Sequence, residues 1–396
     1  MINILNVKYI ERIKEIKMKR FIRINNLFKI VLLGFVIFGI DKVNGETLKG
    51  KIYFSGFDKS KGDKYPDLYE INLEDRIIQK KNITNQSKSI YLTKLKLSKK
   101  SNNILAFTNN KSGKINANFY LFDTNLRETS FIDSDIKIEW YDCDLSPDGN
   151  AIAFSSPMTN RTNEYSMRFH DIYVYNIINK KLTQITHNYE HNILPSWSPD
   201  GKKIAFYSGL SSIRNLDIFP KNTPGYCLKI VNIDGTGEKI IASYGFLYSA
   251  YLNDRPQWSP DGNRIAFGNK YKENDYWGIY CVDSDGKNLT LLKERAGQPA
   301  WSPDGSRIVF VSRGMNIHVM DSTGNSELNL TKSGDLNHNP VWSPDGKYIL
   351  FVSNRLEGEK KKPYTSLFIV SLDGKYLLHL SPLHAVSDDE FFWVDK

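Results

Sequence analysis

Short apolar runs separated by polar turns fill residues 51–394, and one order of runs returns several times along the chain. In the clearest copies, tryptophan ends one run, Ser-Pro-Asp-Gly follows, and the next run is apolar almost without alternation, as in WSPDGKKIAFYS at residues 197–208. Unbroken apolar runs of this length are typical of strands that are covered on both faces. The pattern therefore predicts β-strands packed between neighbouring sheets.

The Ser-Pro-Asp-Gly tetrads mark a repeat. Their serines are residues 146, 198, 259, 302 and 343, so successive tetrads are 41 to 61 residues apart, a spacing that suits a propeller blade with its loops. Proline presets φ, serine and aspartate bond the local backbone, and glycine accepts positive φ, so each tetrad predicts a tight turn between two strands. The predicted turn residues are Asp148, Gly149, Asp200, Gly201, Asp261, Gly262, Asp304, Gly305, Asp345 and Gly346.

Each repeat continues with a third apolar run, a turn that is usually Asp-Gly, and a more polar fourth run, which is typical of a four-stranded antiparallel blade. Counting the second run of each unit gives seven units. Pairing the C-terminal run at 391–394 with residues 51–56 would remove two unpaired sheet edges. We therefore predict an all-β, seven-bladed β-propeller of four-stranded antiparallel blades, closed by pairing of its N- and C-terminal strands, with six blades and an irregular end as the alternative.

The N-terminal 45 residues differ from the rest of the chain. They hold nine Lys and Arg against three acidic residues, and a basic stretch precedes the apolar run from Ile30 to Ile40. This order predicts a secretory signal peptide ending at Gly45, because eleven apolar residues are fewer than the roughly 20 of a spanning helix. A retained N-terminal membrane segment is the alternative, and translation starts at Met1 or Met18. Residues 46–396 are then a single β-propeller domain.

Charge and cysteine content narrow the function classes. The net charge is +9, but about two thirds of it lies in the N-terminal segment, so the remainder gives no reason to expect nucleic-acid binding. Three cysteines fall in three different repeats, which predicts thiols rather than a disulfide. His187 and His191 flank Glu190 at a spacing that holds zinc on a helix, but no helix is predicted there. We therefore predict no metal and no cofactor.

The phrase W-S-P-D-G-x-x-I-A-F, at residues 197–206 and with small changes at 258, 301 and 342, resembles the WD40-like (PD40) repeats of the TolB propeller family. The resemblance covers about residues 50–396. It implies a periplasmic propeller that binds the peptidoglycan-associated lipoprotein. TolB proteins carry an α/β domain before the propeller, and we expect this chain to lack it. Propellers of prolyl-oligopeptidase-type proteases are similar, but the G-x-S-x-G motif of their hydrolase domain does not occur here.

Long insertions are predicted on the side of the blades opposite the tetrad turns. Four of the five longest belong to three consecutive blades, so we expect one neighbourhood that is rich in Tyr and Arg, residues enriched at binding hot spots. The candidate partner-binding residues are Tyr165, Arg168, Tyr189, Arg214, Tyr244, Phe246, Tyr248, Tyr251, Arg255, Tyr271 and Tyr276. The alternative is that the aromatic residues only pack each loop on its blade and that the arginines are solvated charges.

The sequence thus favours an exported, monomeric, non-enzymatic propeller that serves as a protein-binding or scaffolding module in the periplasm or cell envelope. The expected partner is an envelope protein or lipoprotein, and the resemblance implies that it is peptidoglycan-associated. We expect contact with the membrane only through an uncleaved N-terminal segment. Two alternatives remain open. One is a propeller enzyme, such as a polysaccharide lyase or glycan hydrolase, and the other is a stand-alone propeller partner of a prolyl-oligopeptidase-type protease.

Overall fold

The computed structural model describes most of the repeat region in segments. These are residues 48–57, 67–75, 77–81, 90–98, 103–110, 118–123, 128–132, 143–157, 169–188, 190–209, 226–244, 255–270, 277–332, 334–355, 365–380, 384–385 and 391–395. The predicted signal segment at 1–45 lies outside them. Within the described residues no helix is long and apolar enough to cross a membrane.

The chain divides into two compact units, residues 1–50 with 73–75 and residues 51–72 with 76–396. In the described part of the first unit, the backbone N–H of Leu73 donates a hydrogen bond to the carbonyl of Gly50 at 3.1 Å. The second unit contains all the strands. It is all-β in its described residues, because the only regular elements there are strands and turns.

The strands come in groups of four, which we number as repeats along the chain. Repeat 1 has β1 (Lys51–Phe57), β2 (Asp67–Asn72) and β3 (Ile78–Lys81), and repeat 2 has β4 (Ile90–Leu97), β5 (Asn103–Asn110), β6 (Asn118–Asp123) and β7 (Glu128–Ile132). Repeat 3 has β8 (Cys143–Leu145), β9 (Ala151–Pro157), β10 (His170–Asn176) and β11 (Lys181–Gln184), and repeat 4 has β12 (His191–Trp197), β13 (Lys203–Gly209), β14 (Tyr226–Asn232) and β15 (Lys239–Tyr244).

The later repeats follow the same order. Repeat 5 has β16 (Gln257–Trp258), β17 (Arg264–Lys270), β18 (Trp277–Asp283) and β19 (Thr290–Glu294), and repeat 6 has β20 (Ala296–Trp301), β21 (Arg307–Ser312), β22 (Ile317–Asp321) and β23 (Leu328–Asn329). Repeat 7 has β24 (Asn337–Trp342), β25 (Tyr348–Ser353), β26 (Ser366–Ser371) and β27 (Leu377–His379), and β28 (His384–Ala385) and β29 (Phe391–Val394) follow it.

Within each repeat, consecutive strands pair antiparallel. Repeats 2, 5, 6 and 7 each form a four-stranded sheet, and repeats 3 and 4 form one eight-stranded sheet in which His170 pairs in parallel with His191. In repeat 1 the place of the first strand is taken by the C-terminal β29, whose Trp393 lies opposite Ile52 of β1. The C-terminal strand thus pairs with β1, as the two apolar runs predict.

The tetrads form the turn between the first and second strands. In all five, the serine hydroxyl donates to its aspartate Oδ1 at 2.5 to 2.7 Å and accepts the backbone N–H five residues later at 2.9 Å. The glycines have φ of 70 to 78°, which glycine adopts without strain. Hydrogen bonds of this kind lower the pKa of Asp148, Asp200, Asp261 and Asp304 despite partial burial, to about 2 in Asp304. Each tetrad aspartate is therefore a structural group of its own turn.

Tryptophan joins each repeat to the one before it. The indole Nε1 of Trp197, Trp258, Trp301 and Trp342 donates to the carbonyl of Asp144, Ser196, Gln257 and Ala300, respectively, at 2.9 to 3.2 Å. Each indole also packs in an apolar cluster that combines residues of both repeats. The core of the protein therefore lies between neighbouring sheets, as the unbroken apolar runs predict.

Candidate functional site

The strand ends opposite the tetrad turns line up across repeats 3 and 4. Backbone pairing connects six residues in one row, which we call the end row: Pro157, His170, His191, Gly209, Tyr226 and Tyr244. Each member directly borders one of the insertions, or the connection between the two repeats, that carry the predicted binding residues. The end row therefore flanks both ends of segments 158–168 and 210–225 and the start of segment 245–254 at one edge of a continuous sheet.

Most of the predicted binding residues themselves lie outside the described residues. These are Tyr165, Arg168, Tyr189, Arg214, Phe246, Tyr248, Tyr251, Tyr271 and Tyr276. Tyr244 closes β15 with its backbone opposite Tyr226, and its side chain is outside the description. Arg255 is described and is buried, with 6% of its surface exposed. Arg255 is therefore a buried residue just before β16 (Gln257–Trp258) and not an exposed loop residue.

Two imidazoles meet at the centre of the end row. The rings of His170 and His191 pack edge to face with centroids 4.5 Å apart. Burial, together with repulsion from His170, lowers the pKa of His191 to about 4, so His191 is neutral at physiological pH. A neutral imidazole here adds a polar contact at the junction of repeats 3 and 4 without a buried charge.

A charged cluster lies at the same junction between repeats 3 and 4. The ammonium of Lys229, in the otherwise apolar β14, binds Glu190 and, at 2.9 Å, Glu238. Burial disfavours the charge on Lys229, but its hydrogen bonds to both carboxylates raise its pKa above the usual value. Lys229 is therefore a fixed cation that ties the connection between repeats 3 and 4 to the outer strands of repeat 4.

Neutral hydrogen bonds complete this support. The hydroxyl of Ser208 lies 2.5 Å from Glu190 Oε2 and 2.6 Å from Asn192 Oδ1, so it can donate to either oxygen. The Asn192 amide donates to the hydroxyl of Thr186 at 3.2 Å, and Thr186 donates to the fully buried Asp171 at 2.8 Å. This chain of bonds satisfies groups whose burial would otherwise be costly, and it holds the end row rigid.

Arg255 forms a second junction, which involves three repeats. Its Nη1 lies 3.3 Å from Oδ1 of Asp144 in β8 of repeat 3. The other oxygen of Asp144, Oδ2, accepts the backbone N–H of Trp197 in repeat 4 at 2.9 Å. One carboxylate therefore connects repeat 3 with repeats 4 and 5.

The predicted His187, Glu190 and His191 do not form a joint cluster of ligands. His187 is exposed, whereas Glu190 binds Lys229 and His191 packs on His170. No group of three His, Cys, Asp or Glu side chains in the described part of the chain is arranged to hold a metal ion. Cys143, Cys227 and Cys281 form no disulfide, and burial raises the pKa of the Cys227 thiol to about 11.

The sequence interpretation missed the supporting cluster of Lys229, Glu190 and Glu238. One signal was present, since Lys229 is the single charge in the run Tyr-Cys-Leu-Lys-Ile-Val-Asn. A buried lysine in a strand requires an anionic partner. Its two partners lie 39 and 9 residues away, so spacing along the chain does not reveal them.

Repeated four-stranded sheets that pack through a tryptophan of each repeat define a repeat protein of the β-propeller class. The sequence profile described as TolB beta propeller domain (PD40) matches residues 217–377. Residues 217–377 therefore match the TolB-like PD40 repeats that the tetrads predict. A second profile, the dipeptidyl peptidase IV N-terminal region, matches residues 146–274. A comparison of the sequence with curated proteins found no match.

Solved structures with a similar backbone include three kinds of protein. TolB from Acinetobacter baumannii is 17% identical with a TM-score of 0.49, and the match covers 71% of this chain and 63% of that one. Oligogalacturonate lyase in complex with manganese is 15% identical with a TM-score of 0.58 over 82% and 86% of the two chains. A puromycin hydrolase variant complexed with PGG is 10% identical with a TM-score of 0.58 over 86% and 53%.

These identities are low, so the structural likeness establishes the fold and leaves the activity open. The chain spans less than two thirds of the length of the Acinetobacter TolB and about half that of the puromycin hydrolase. Proteins of this fold include a lyase and a hydrolase. Function must therefore be inferred from the residues of this chain.

Proposed function

We propose that this chain is an exported, non-enzymatic β-propeller that binds a protein partner of the cell envelope through the insertions that begin at the end row. The partner class is an envelope protein or lipoprotein, as the TolB-like repeats suggest. The N-terminal 45 residues serve as the export signal in this proposal. The propeller itself has seven blades, one for each repeat.

The proposed ring rests on contacts between successive repeats. Among the described strands, the first strands contact one another in the order β4, β8, β12, β16, β20 and β24, and β24 contacts β29. Because β29 pairs with β1, and β1 contacts β4, this order returns to its starting point. Seven blades closed by the terminal strands account for all of these contacts without an unpaired inner edge.

The end row is the observation that carries the binding role. Two insertions, 158–168 and 210–225, start and end next to this sheet edge, and a third, 245–254, starts there. Lys229, Glu190 and Thr186 stabilise the edge with buried hydrogen bonds. A rigid base lowers the entropy cost of presenting loops to a partner. The opposite side of the same repeats offers the short tetrad turns, which differ little from one repeat to the next.

Affinity capture from the native envelope extract tests this proposal. We expect the full chain to enrich one lipoprotein or envelope protein, and a variant with Tyr248→Ala and Tyr251→Ala to lose it. The matched control is Lys202→Ala with Lys287→Ala, two exposed residues on the tetrad side, which should retain capture. The captured protein is then purified and must bind the full chain with the same dependence on the loops. Capture that is equal in all variants overturns the proposed surface.

A propeller lyase is the second candidate function. Its support is the likeness to oligogalacturonate lyase, which extends over 86% of that chain. Incubation of the full chain with oligogalacturonate, with added manganese and without it, distinguishes the two proposals. Formation of unsaturated product in either sample favours the lyase and contradicts the non-enzymatic role.

A further inference from the structure

The Arg255 guanidinium has more donors than its surroundings accept. A guanidinium carries five N–H donors, and this one is buried, with 8% of its side-chain surface exposed. The Asp144 carboxylate at 3.3 Å is an ion-pair partner whose orientation does not give a hydrogen bond, and no residue in the described segments accepts one from Nη1. Buried donors without an acceptor are rare and costly. The guanidinium of Arg255 therefore has N–H donors left that can bind a further acceptor.

Asp144 does not neutralise Arg255 fully, because it is engaged elsewhere. Its Oδ2 accepts the backbone N–H of Trp197 at 2.9 Å, and its carbonyl accepts the indole N–H of the same tryptophan. These bonds fix the carboxylate against repeat 4. The Asp144 side chain keeps 21% of its surface exposed, but the unpaired Nη1 of Arg255 is itself buried. A ligand therefore reaches the guanidinium only if the side chains that cover it move aside.

The same position in other repeats carries a neutral residue. Each of the four sits three residues before the tryptophan and directly before a proline, and they are Leu194, Arg255, Gln298 and Asn339. Gln298 and Asn339 satisfy each other, because the backbone N–H of Asn339 donates to Oε1 of Gln298 at 2.8 Å. Leu194 is buried in the apolar cluster. Only Arg255 among these four brings a charge and unused donors.

We propose that Arg255, with Asp144 beside it, forms a subsite for a single carboxylate of the partner protein, either an acidic side chain or a C-terminus. This inference rests on the proposed function, because the segment 245–254 that directly precedes Arg255 belongs to the proposed binding surface. A planar carboxylate matches the two parallel N–H donors of a guanidinium. Asp144 limits the site to a monoanion, since a dianionic phosphate would meet stronger repulsion from the neighbouring carboxylate.

The test measures binding of a defined probe to the full chain. The probe is the blocked peptide acetyl-Gly-Asp-Gly-amide, the control is its asparagine counterpart, and binding is followed by chemical shift changes of the protein. We expect the aspartyl peptide to bind at least tenfold more tightly than the asparaginyl peptide. Arg255→Gln should abolish this preference, and Arg255→Lys should weaken it, because lysine keeps the charge but not the paired donors.

Asp144→Asn should strengthen peptide binding, whereas Arg255→Gln should weaken it. This difference separates a binding role of the ion pair from a purely structural one. Asparagine keeps an acceptor for Trp197, but it removes the charge that competes for Arg255. We expect the aspartyl peptide to bind this variant several-fold more tightly than the unaltered chain. The variant should also melt at a lower temperature, and the peptide should restore part of the loss. If both substitutions only lower the melting temperature and the peptide preference is unchanged, the subsite is overturned.

Three further outcomes separate this inference from a glycan ligand and from the proposed function. Arg255-dependent binding of trigalacturonate without binding of the aspartyl peptide overturns a protein carboxylate as the ligand. If the partner is captured through Tyr248 and Tyr251 while Arg255→Gln changes neither capture nor peptide binding, the proposed function stands and the subsite fails. If the peptide binds through Arg255 but no protein is captured, the subsite stands and the protein-binding role fails.

Discussion

The indole N–H of Trp258 donates a hydrogen bond to the backbone carbonyl of Ser196 at 3.1 Å. The two residues are the last and the next-to-last positions of equivalent runs in neighbouring repeats, and the same bond recurs at Trp197, Trp301 and Trp342. The tryptophan of the repeated phrase therefore acts both as an apolar core residue and as a directed link between repeats.

Trp258→Phe should destabilise the protein by about 1–3 kcal/mol, because it leaves a buried carbonyl without a donor and removes part of a buried ring. Urea unfolding measures the change in the free energy of unfolding. The hydrogen bond itself is checked separately, since the indole N–H signals of Trp197, Trp258, Trp301 and Trp342 should exchange slowly with deuterated solvent. Rapid exchange of all four indoles would contradict the link.

Gly324→Ala tests the close contact between repeats 5 and 6. Gly324 has φ of +91°, and a Cβ there would lie 2.9 Å from the carbonyl oxygen of Leu292 in the preceding repeat. Positive φ alone costs a non-glycine residue about 1–2 kcal/mol, and the contact with backbone adds to it. We expect a loss of about 2–4 kcal/mol in urea unfolding. The matched control is Gly334→Ala, because nothing lies within 4 Å of its Cβ position.

The repeated part of the fold could be predicted because its causes are local. Ser302, Asp304 and Gly305 form hydrogen bonds within one turn. The four residues of the tetrad therefore contain the whole interaction. The apolar runs likewise indicate burial on both faces, which Phe206 and Phe310 show by being fully buried. Once the turn and the runs recur, the packing of one sheet on the next follows from the same residues in each repeat.

The site could not be predicted in the same way, because its contacts join distant parts of the chain. Arg255 pairs with Asp144, more than a hundred residues earlier, and the sequence places Arg255 in an exposed loop only because it ends a polar, aromatic segment. Lys229 and Glu190 meet across a long insertion. In both pairs the spacing is set by how neighbouring repeats pack, which no short motif encodes. The predicted tyrosines of the insertions remain a prediction.

Lys229→Met should destabilise the protein by about 1–3 kcal/mol at pH 7, because it leaves the carboxylates of Glu190 and Glu238 next to each other without a cation. Both carboxylates are about 30% exposed, so solvent reduces the effect below that of a fully buried pair. Lys287→Met is the control, since its pair with Asp285 is exposed and should contribute little to stability. Equal losses in the two variants would refute a supporting role for Lys229.

Lys229→Met combined with Glu190→Gln should recover part of the lost stability. The second substitution removes one of the two repelling charges and keeps a hydrogen-bond acceptor for Ser208. A double-mutant cycle in urea measures the interaction between the two residues. A purely additive cycle would show that the observed ion pair does not contribute to stability.

The tetrad aspartates should make the fold resistant to mild acid and sensitive to stronger acid. Hydrogen bonds from Ser302 and Ser306 lower the pKa of Asp304 from 3.8 to about 2, and the pKa values of Asp148, Asp200 and Asp261 are also lowered. A depressed carboxyl pKa adds stability above its unfolded value, and this is lost as pH falls through the folded value. Circular dichroism should therefore show a loss between about pH 4 and 2, at a higher pH in Ser302→Ala.

His191 gives a separate acid response at milder pH. Its folded pKa, about 4, lies below the unfolded value of 6.5, so between these values the unfolded chain binds a proton that the folded chain does not. Stability must then fall as pH decreases from about 6.5 to 4, by about 1–2 kcal/mol at pH 5. His191→Gln removes the titrating group and should reduce this loss, which urea unfolding at pH 7 and pH 5 measures. Because the pKa of His318 is also lowered, part of the loss remains in the variant. An unchanged difference between the two pH values would show that His191 is not charged on unfolding in this range, and would contradict its burial against His170.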